Sequence, residues 1–512
     1  MTIPWWREPN VRWLSFCLVV AFLFRLLIVQ QQAIVFWYDQ ARDFTVSQQI
    51  IEQHDVKIQG PSASGTKDTV YHGVLYYYLI APVVSFSGGS PFWTTAWLAL
   101  LGSTAVIPTY LLVQALTGST KAARWASFLL TFSFYHVQAS TWLSNPQLMS
   151  FITPWILLFS WKAIVQQQEK YYPWLALTLA ISVQSAIVNV FYVLGVCLLQ
   201  LICLYSRKSW KFISWKNLIL SVLIFGLGIS TMLLTELLMV QRGILTSEVV
   251  AQFDRDTLSL VAQLLTFFRF NWRQLLWMVS GNSLIGILAL VVLGDGLRHL
   301  TMTTKRFLLF WWVAPWFVLA WHFRDSPQTY IGLDTIIITV LAVFMTHWQK
   351  KNVLFGFIVG LIVMSGNIWS LHQYFQTRNN IFSVQKGAFL RDQIALVDQT
   401  YRQSQGKPFS ISMLTNPYGI NVTWGYLYAW SSREWGYQPN YVGPDQAGIV
   451  GEDLLSKGTF QTQHFLIREP DTGLDVRLEE PFIYTQNEFT SLMYTDSFGS
   501  LQLEDRLAIK KQ

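Results

Sequence analysis

Long apolar runs without charged side chains dominate the chain before residue 373. The stretch from Pro91 to Leu116 contains no Asp, Glu, Lys or Arg, and neither does the stretch from Pro173 to Tyr205. A helix needs about 20 apolar residues to cross the roughly 30 Å hydrocarbon core of a bilayer. Strands of a membrane barrel would alternate polar and apolar residues, and these runs do not. The pattern predicts an all-α polytopic membrane bundle.

The apolar runs predict about eleven membrane-spanning helices. They are expected near residues 13–36, 91–116, 125–143, 147–165, 173–188, 190–206, 218–240, 275–293, 307–321, 331–346 and 353–372. The loops on one side of this arrangement are basic, and the positive-inside rule makes that side cytoplasmic. Its basic residues are Arg7, Arg12, Lys121, Arg124, Lys170, Arg207, Lys208, Lys211, Lys216, Arg298, Lys305, Arg306, Lys350 and Lys351.

The apolar run from Tyr71 to Phe86 decides the parity of this topology. If it crossed the membrane, every later basic loop would lie on the wrong side. The run is short for a span, contains Pro82 and ends in Ser-Gly-Gly-Ser. We therefore predict an interfacial or re-entrant helix, within a first extracytoplasmic loop that covers residues 37–90.

The polar C-terminal part, residues 373–512, is predicted to be a small extracytoplasmic α/β domain attached to a transmembrane domain of residues 1–372. Short β-type runs alternate with helical stretches. Strands are predicted at Phe409–Leu414, His464–Arg468, Phe489–Tyr494 and Leu501–Leu507, and helices near Phe389–Arg402 and Asn421–Ser431.

Composition supports a membrane protein and argues against a nucleic-acid partner. The chain is 52% hydrophobic and 13% charged, whereas soluble domains carry about 25% charged residues. The net charge of +7 resides in short loops and forms no basic face interleaved with exposed aromatic residues. Cys17, Cys197 and Cys203 all lie in apolar runs, so no disulfide framework or thiolate metal site is indicated.

The segment Trp37–Ile51, WYDQARDFTVSQQII, follows the first predicted span and resembles an amphipathic helix. Asp39 and Asp43 are four residues apart and share one helix face, with Arg42 between them. Two interpretations remain open at this point. Asp39 is either part of a helix start with solvated charges or a carboxylate placed at the membrane surface as a general base.

A Gly-Pro-rich connector, Gly60–Gly65, leads to His72-Gly73 and then to Tyr76, Tyr77 and Tyr78. Aromatic residues at a bilayer interface normally form a belt. A tyrosine cluster also offers a surface on which a sugar ring can stack. The sequence leaves both interpretations open for Tyr76.

These elements together resemble the GT-C superfamily of membrane glycosyltransferases. The resemblance rests on an acidic motif after the first span, a Gly-Pro loop and the sequence H-G-x-L-Y-Y-Y-L-I-A-P. It is closest to glycosyltransferase family 39 and the protein O-mannosyltransferase-like group, which includes the aminoarabinose transferases of lipid A. It covers roughly residues 13–370 and is sharpest over 37–86.

The resemblance implies a polyprenyl-phosphate-linked sugar as donor and an inverting transfer of a hexosyl or pentosyl group. Asp39 matches the family's catalytic aspartate of the first loop. Many relatives have Asp-Glu there, whereas Gln40 follows Asp39 in this chain, so Asp43 is the candidate for a second carboxylate. No cofactor is certain. A divalent ion bound through Asp39 stays open, because family members differ in their need for metal.

Binding of the donor phosphate calls for cationic groups, and the planar fork of arginine suits phosphate oxygens. The candidates for donor-phosphate or substrate binding are Arg42, His72, Tyr76, Arg242, Arg324 and Glu236, with Lys67 as a further cation. Asp254-Arg255-Asp256 is only a weak match to a D-x-D element and is interpreted as a solvated charge cluster. No histidine has the spacing of a known metal-binding motif.

The sequence therefore predicts a multi-pass glycosyltransferase of the plasma or inner membrane. Its active site would face the exterior, and its acceptor would be a lipid, a glycan or a protein. Two alternatives remain: a transporter or flippase of lipid-linked sugar, which often shows an inverted repeat, and a membrane scaffold whose external domain binds partners.

Overall fold

The computed structural model describes residues 8–63, 70–207, 214–243, 260–319, 327–383, 385–444, 449–470 and 474–509. Helices make up most of the described chain. They are α1 Pro9–Gln30, α2 Tyr38–Glu52, α3 Leu75–Phe86, α4 Pro91–Ser103, α5 Val106–Thr117, α6 Thr120–Phe132, α7 Phe134–Ser140, α8 Met149–Ser160, α9 Tyr172–Ser185, α10 Val190–Arg207, α11 Trp215–Gly228, α12 Ser230–Gln241, α13 Leu260–Val279, α14 Ser283–Arg298, α15 Met302–Val313, α16 Trp316–Leu319, α17 Asp334–Lys351, α18 Val353–Thr377, α19 Leu390–Ser404, α20 Val422–Trp435 and α21 Val476–Phe489.

The chain divides into two compact units. The first contains Met1–Leu27, Val56–Leu79 and Ala96–Gln373. The second contains Ile28–Asp55, Ile80–Thr95 and Tyr374–Gln512. The polar C-terminal part therefore lies in a unit that also includes two segments from residues 28–95.

The protein is a multi-pass membrane protein. Among the described residues, five helical segments are long and apolar enough to cross a bilayer, and two bent helix pairs raise the number to seven. The five are Pro9–Gln30, Pro91–Thr117, Asn145–Val165, Ile187–Tyr205 and Val353–Thr377. The pairs are Trp215–Gly228 with Ser230–Gln241, bent by 60°, and Leu264–Val279 with Leu284–Arg298, bent by 91°. A count of about eleven spans stays a prediction.

Several predicted spans are interrupted. The span expected at 125–143 forms α6 and α7, because the Ser133 hydroxyl accepts a hydrogen bond from His136 N and starts a new helix. The span expected at 275–293 is broken at Gly281, whose φ is +65°, and Asn282 caps α14 by accepting from Leu284 N and Ile285 N. Helix α1 ends at Gln30, short of residue 36.

A polar cluster is buried in the first unit. The Arg25 side chain is fully buried and donates from Nε to Ser140 Oγ at 2.8 Å and from Nη1 to Ala21 O at 2.9 Å. Nδ1 of His136 lies 3.0 Å from Oδ2 of Asp334, and both side chains are fully buried. Asp334 also attracts Arg25 electrostatically. We call these residues the Arg25–His136–Asp334 cluster. Arg25 is therefore held inside the helix bundle.

The second unit contains a five-stranded sheet. Its strands are β1 Ser410–Leu414, β2 Asn440–Tyr441, β3 Gln463–Arg468, β4 Thr490–Phe498 and β5 Leu501–Ala508. They lie in the order β2-β1-β3-β5-β4. Strand β1 is parallel to β2 and β3, whereas β5 is antiparallel to β3 and β4. The C-terminal part combines a small sheet with helices, as predicted, and β2 and α21 are additions that the sequence did not predict.

Candidate functional site

Helix α2 brings Asp39, Arg42 and Asp43 together at its first turns, in the second unit. Arg42 donates from Nη1 to Asp39 Oδ1 at 2.7 Å. It also donates from Nε and Nη2 to Asp43 Oδ1, at 3.0 and 2.7 Å. One guanidinium therefore bridges the two carboxylates that the sequence placed on one helix face. We call this arrangement the Asp39–Arg42–Asp43 group.

The two carboxylates differ sharply in exposure. The Asp39 side chain is 60% exposed, whereas that of Asp43 is 1% exposed. Burial raises the pKa of Asp43 to about 7, against the lowering effect of Arg42. Within the described residues, Arg42 is the donor to Asp39, and it engages Oδ1. The Oδ2 atom of Asp39 is thus left to solvent or to a substrate.

Gln40 has a structural role beside Asp39. Its Oε1 accepts a hydrogen bond from Trp37 N at 2.9 Å. This bond satisfies a backbone donor at the start of α2, as a residue three positions into a helix often does. The amide thus holds the backbone beside Asp39 without adding a third carboxylate to the group.

The rest of the second unit fixes the start of α2. Phe36 and Phe44 pack on the ring of Tyr426 in α20, with ring centroids 5.5 and 5.7 Å away. Gln393 Nε2 donates to Phe36 O at 2.6 Å, and Leu390 N donates to Ile34 O at 2.8 Å. Asp39, the candidate base, therefore lies on a helix whose start is held by contacts with the C-terminal residues of the same unit.

His72 belongs to the first unit and acts there as a backbone anchor. Its Nδ1 accepts a hydrogen bond from Ile187 N at 3.1 Å, and its own N donates to Pro61 O. The residue after His72 is a glycine because a side chain there would clash with Gln184. A Cβ on Gly73 would lie 1.8 Å from Gln184 Oε1. This contact sets the start of the loop that leads into α3.

The other candidates of the first unit differ in exposure. Tyr76 in α3 is buried, at 1% exposure. Glu236 in α12 and Arg242 just after that helix are exposed. Their roles in substrate binding stay predictions. Arg324, Lys67 and the Asp254-Arg255-Asp256 stretch lie outside the described residues.

A signal that the sequence reading passed over is Asp334, an acidic residue within an apolar run. Ionisable residues in membrane segments usually have a structural or functional partner, and here the partner is His136. In the described part of the chain, no group of three or more His, Cys, Asp or Glu side chains is arranged to hold a metal ion.

The fold resembles that of ArnT. The structure of ArnT from Cupriavidus metallidurans bound to undecaprenyl phosphate matches with a TM-score of 0.59 at 11% identity, over 97% of both chains. The apo ArnT structure matches with a TM-score of 0.58 at 10% identity, over 96% of this chain and 98% of that one.

The oligosaccharyltransferase of Archaeoglobus fulgidus is a weaker match, with a TM-score of 0.48 at 12% identity, over 91% of this chain and 70% of that one. No protein-family model and no curated protein matches the sequence. At identities this low the likeness to ArnT concerns the fold alone. The chain has the fold of ArnT.

Proposed function

We propose that the protein is a glycosyltransferase that moves a sugar from a polyprenyl-phosphate donor to an acceptor hydroxyl on the extracytoplasmic face of the membrane. The observation that carries the proposal is an exposed carboxylate, Asp39, that Arg42 holds by one oxygen on a helix of a GT-C fold. The likeness to ArnT supports a lipid-linked donor, because that structure holds undecaprenyl phosphate.

Asp39 is the general base of the proposed reaction. Its free Oδ2 takes the proton of the acceptor hydroxyl as that oxygen attacks the anomeric carbon. The bond from the anomeric carbon to the phosphate oxygen breaks, and the polyprenyl phosphate leaves with the bonding electrons. Attack on the side opposite the leaving group inverts the anomeric centre. A positioned general base typically contributes about 10²- to 10⁴-fold in rate.

Arg42 and Asp43 are positioning residues in this scheme. Arg42 is 13% exposed and uses its nitrogens on both carboxylates. It keeps Oδ1 of Asp39 occupied, so that the carboxylate presents Oδ2. Asp43 in turn fixes the guanidinium from the buried side. Two carboxylates in contrasting environments commonly divide roles in this way.

A reconstitution with purified protein tests the proposal. The protein would be placed in lipid nanodiscs with polyprenyl-phosphate sugars, and mass spectrometry would detect a new glycosidic bond. We expect Asp39→Asn to lose at least about 100-fold in turnover. The matched control is Glu52→Gln, which neutralises an exposed carboxylate at the other end of α2 and should keep full activity.

Two results would overturn the proposal. One is equal turnover in Asp39→Asn and wild type. The other is movement of lipid-linked sugar across the bilayer with no new glycosidic bond, which would indicate transport. A parallel reaction with a chelator decides the open question of a divalent ion at Asp39.

A further inference from the structure

A second polar site lies in the first unit, at helix ends that belong to the predicted cytoplasmic loops. A cavity of about 290 Å³ opens there. Its polar lining consists of Thr117, Ser119, His299, Thr301, Thr346, His347 and Lys350. A single water needs only roughly 10–15 Å³ of such volume, so the cavity admits a group the size of a phosphate ester.

The two histidines form one wall of the cavity. The imidazole rings of His299 and His347 are stacked, with centroids 3.5 Å apart and planes 15° apart. Nε2 of His299 lies 3.5 Å from Oδ2 of Asp295, and Trp348 Nε1 donates to the same oxygen at 2.8 Å. The Asp295 carboxylate thus lies beside the His299 ring and also accepts a hydrogen bond from the neutral indole of Trp348.

The charge around the cavity favours an anion. Lys350 lines it, and further basic residues lie in the adjoining helix ends: Lys121, Arg298, Lys305, Arg306 and Lys351. Ser119 offers a hydroxyl donor, since its Oγ caps the helix that begins beside the cavity by accepting a hydrogen bond from Ala122 N. Ammonium, imidazole and hydroxyl groups together suit a phosphate better than a neutral ligand.

Membrane context explains where such a phosphate would come from. The ends of membrane helices lie at headgroup depth, and basic pockets between helices on the cytoplasmic side bind anionic lipid headgroups. Exposed apolar side chains continue along the same helices, with Leu111 at 37%, Leu297 at 40% and Met302 at 60% exposure. They offer a surface for acyl chains next to the polar cavity.

We propose that this cavity is a phosphate-binding site, which takes the phosphate group of an anionic membrane lipid or free phosphate. Neither His299, His347 nor Lys350 belongs to the proposed catalytic group on α2. The site is therefore separate in its chemistry from the sugar transfer, and its failure would leave that proposal standing.

Native mass spectrometry of the full chain tests this site. Wild type would be compared in nanodiscs of pure phosphatidylcholine and in nanodiscs with phosphatidylglycerol added, and the retained lipids counted after transfer to detergent. We expect wild type to retain phosphatidylglycerol selectively, and Lys350→Gln to bind it about tenfold more weakly through loss of one charged contact. The matched control is Lys351→Gln, which removes the same charge one residue away from the lining.

Competition with inorganic phosphate separates the two sources. Displacement of the lipid by millimolar phosphate, or binding of phosphate alone that Lys350→Gln abolishes, assigns free phosphate as a ligand. Retention of the lipid against phosphate assigns the headgroup. His347→Gln is a second variant that should weaken binding, and thermal unfolding in phosphatidylcholine checks that every variant is folded. Equal binding by Lys350→Gln and Lys351→Gln, or no selectivity for either probe in wild type, overturns the proposal.

Discussion

The Asp39–Arg42–Asp43 group and the Arg25–His136–Asp334 cluster each bring an arginine near an acidic side chain, and they differ in access to solvent. In the Asp39–Arg42–Asp43 group of the second unit, the Asp39 side chain is 60% exposed and the Asp43 side chain is 1% exposed. The Arg25–His136–Asp334 cluster of the first unit is buried throughout. A base must reach its substrate, whereas the side chains of the buried cluster are closed to solvent. The same residue types therefore point to catalysis in one unit and to bundle structure in the other.

Asp39→Asn should separate the two groups most strongly. We expect a loss of about 10²- to 10⁴-fold in turnover, with a change in unfolding free energy within about 0.5 kcal/mol because the side chain is exposed. Turnover in nanodiscs and thermal unfolding in detergent measure the two quantities on one preparation. A large loss of stability instead would show that Asp39 has a structural role.

Asp334→Asn should show the opposite pattern. Removal of this charge takes the carboxylate partner from the buried His136 ring and the anionic neighbour from the buried Arg25, and removing one partner of a buried charged pair costs about 3–5 kcal/mol. Asp295→Asn is the matched control, because its pair with His299 is partly exposed and should be worth under about 1 kcal/mol. Similar thermal unfolding for the two variants would contradict a special role for the buried cluster.

Asp43→Asn should have an intermediate effect that depends on pH. We expect roughly a tenfold loss of turnover above pH 7, since a charged hydrogen bond to Arg42 is lost. Because burial raises the pKa of Asp43 to about 7, wild-type turnover should fall as the pH drops from 8 to 6. The variant should show a flatter profile over that window. Parallel profiles in both proteins would exclude Asp43 as the cause.

The raised pKa of Asp43 also determines how its contribution to the free energy of unfolding changes with pH. The folded protein binds the Asp43 proton more readily than the unfolded chain, whose carboxyl has its ordinary pKa near 3.8. The contribution of Asp43 to the free energy of unfolding is therefore full below that value and is lost as the pH rises to about 7. Thermal unfolding of wild type and Asp43→Asn across this range measures the difference.

Changes at Gln40 should have the smallest effect. Gln40→Ala removes the acceptor for Trp37 N and should cost about 1 kcal/mol of stability. Gln40→Glu keeps an acceptor and places a negative charge in the first turn, so we expect a change within about 0.5 kcal/mol. Thermal unfolding compares the pair. Equal losses would show that the side-chain acceptor is not what holds this turn.

The sequence predicted local features well where a short pattern carried them. Short β-type runs predicted strands at Phe409–Leu414 and Leu501–Leu507, where the structure has Ser410–Leu414 and Leu501–Ala508. The segment that begins at Trp37 predicted helix α2 with Asp39 at its start. It missed β2, which is only two residues long, and α21, whose interior contains Pro481.

Breaks and long-range contacts escaped the sequence for physical reasons. Hydropathy is the same for a straight and a bent apolar helix, so the break at Gly281 was not visible. The burial of Asp43 and the packing of Phe44 on Tyr426 join residues far apart in the chain. The periodicity of a short sequence segment does not predict contacts between distant residues. Such contacts determine why Asp43 is buried and Asp39 is exposed.

The location of Asp39 is the central claim, and cysteine labelling tests it directly. In a background in which Cys17, Cys197 and Cys203 are replaced, Asp39→Cys would be exposed to a membrane-impermeant maleimide in right-side-out and inside-out vesicles, with Lys121→Cys as the control for the predicted cytoplasmic side. If Asp39 lies on the extracytoplasmic side, position 39 will be labelled in right-side-out vesicles and position 121 in inside-out vesicles. Labelling of position 39 only in inside-out vesicles, or in neither, would contradict it.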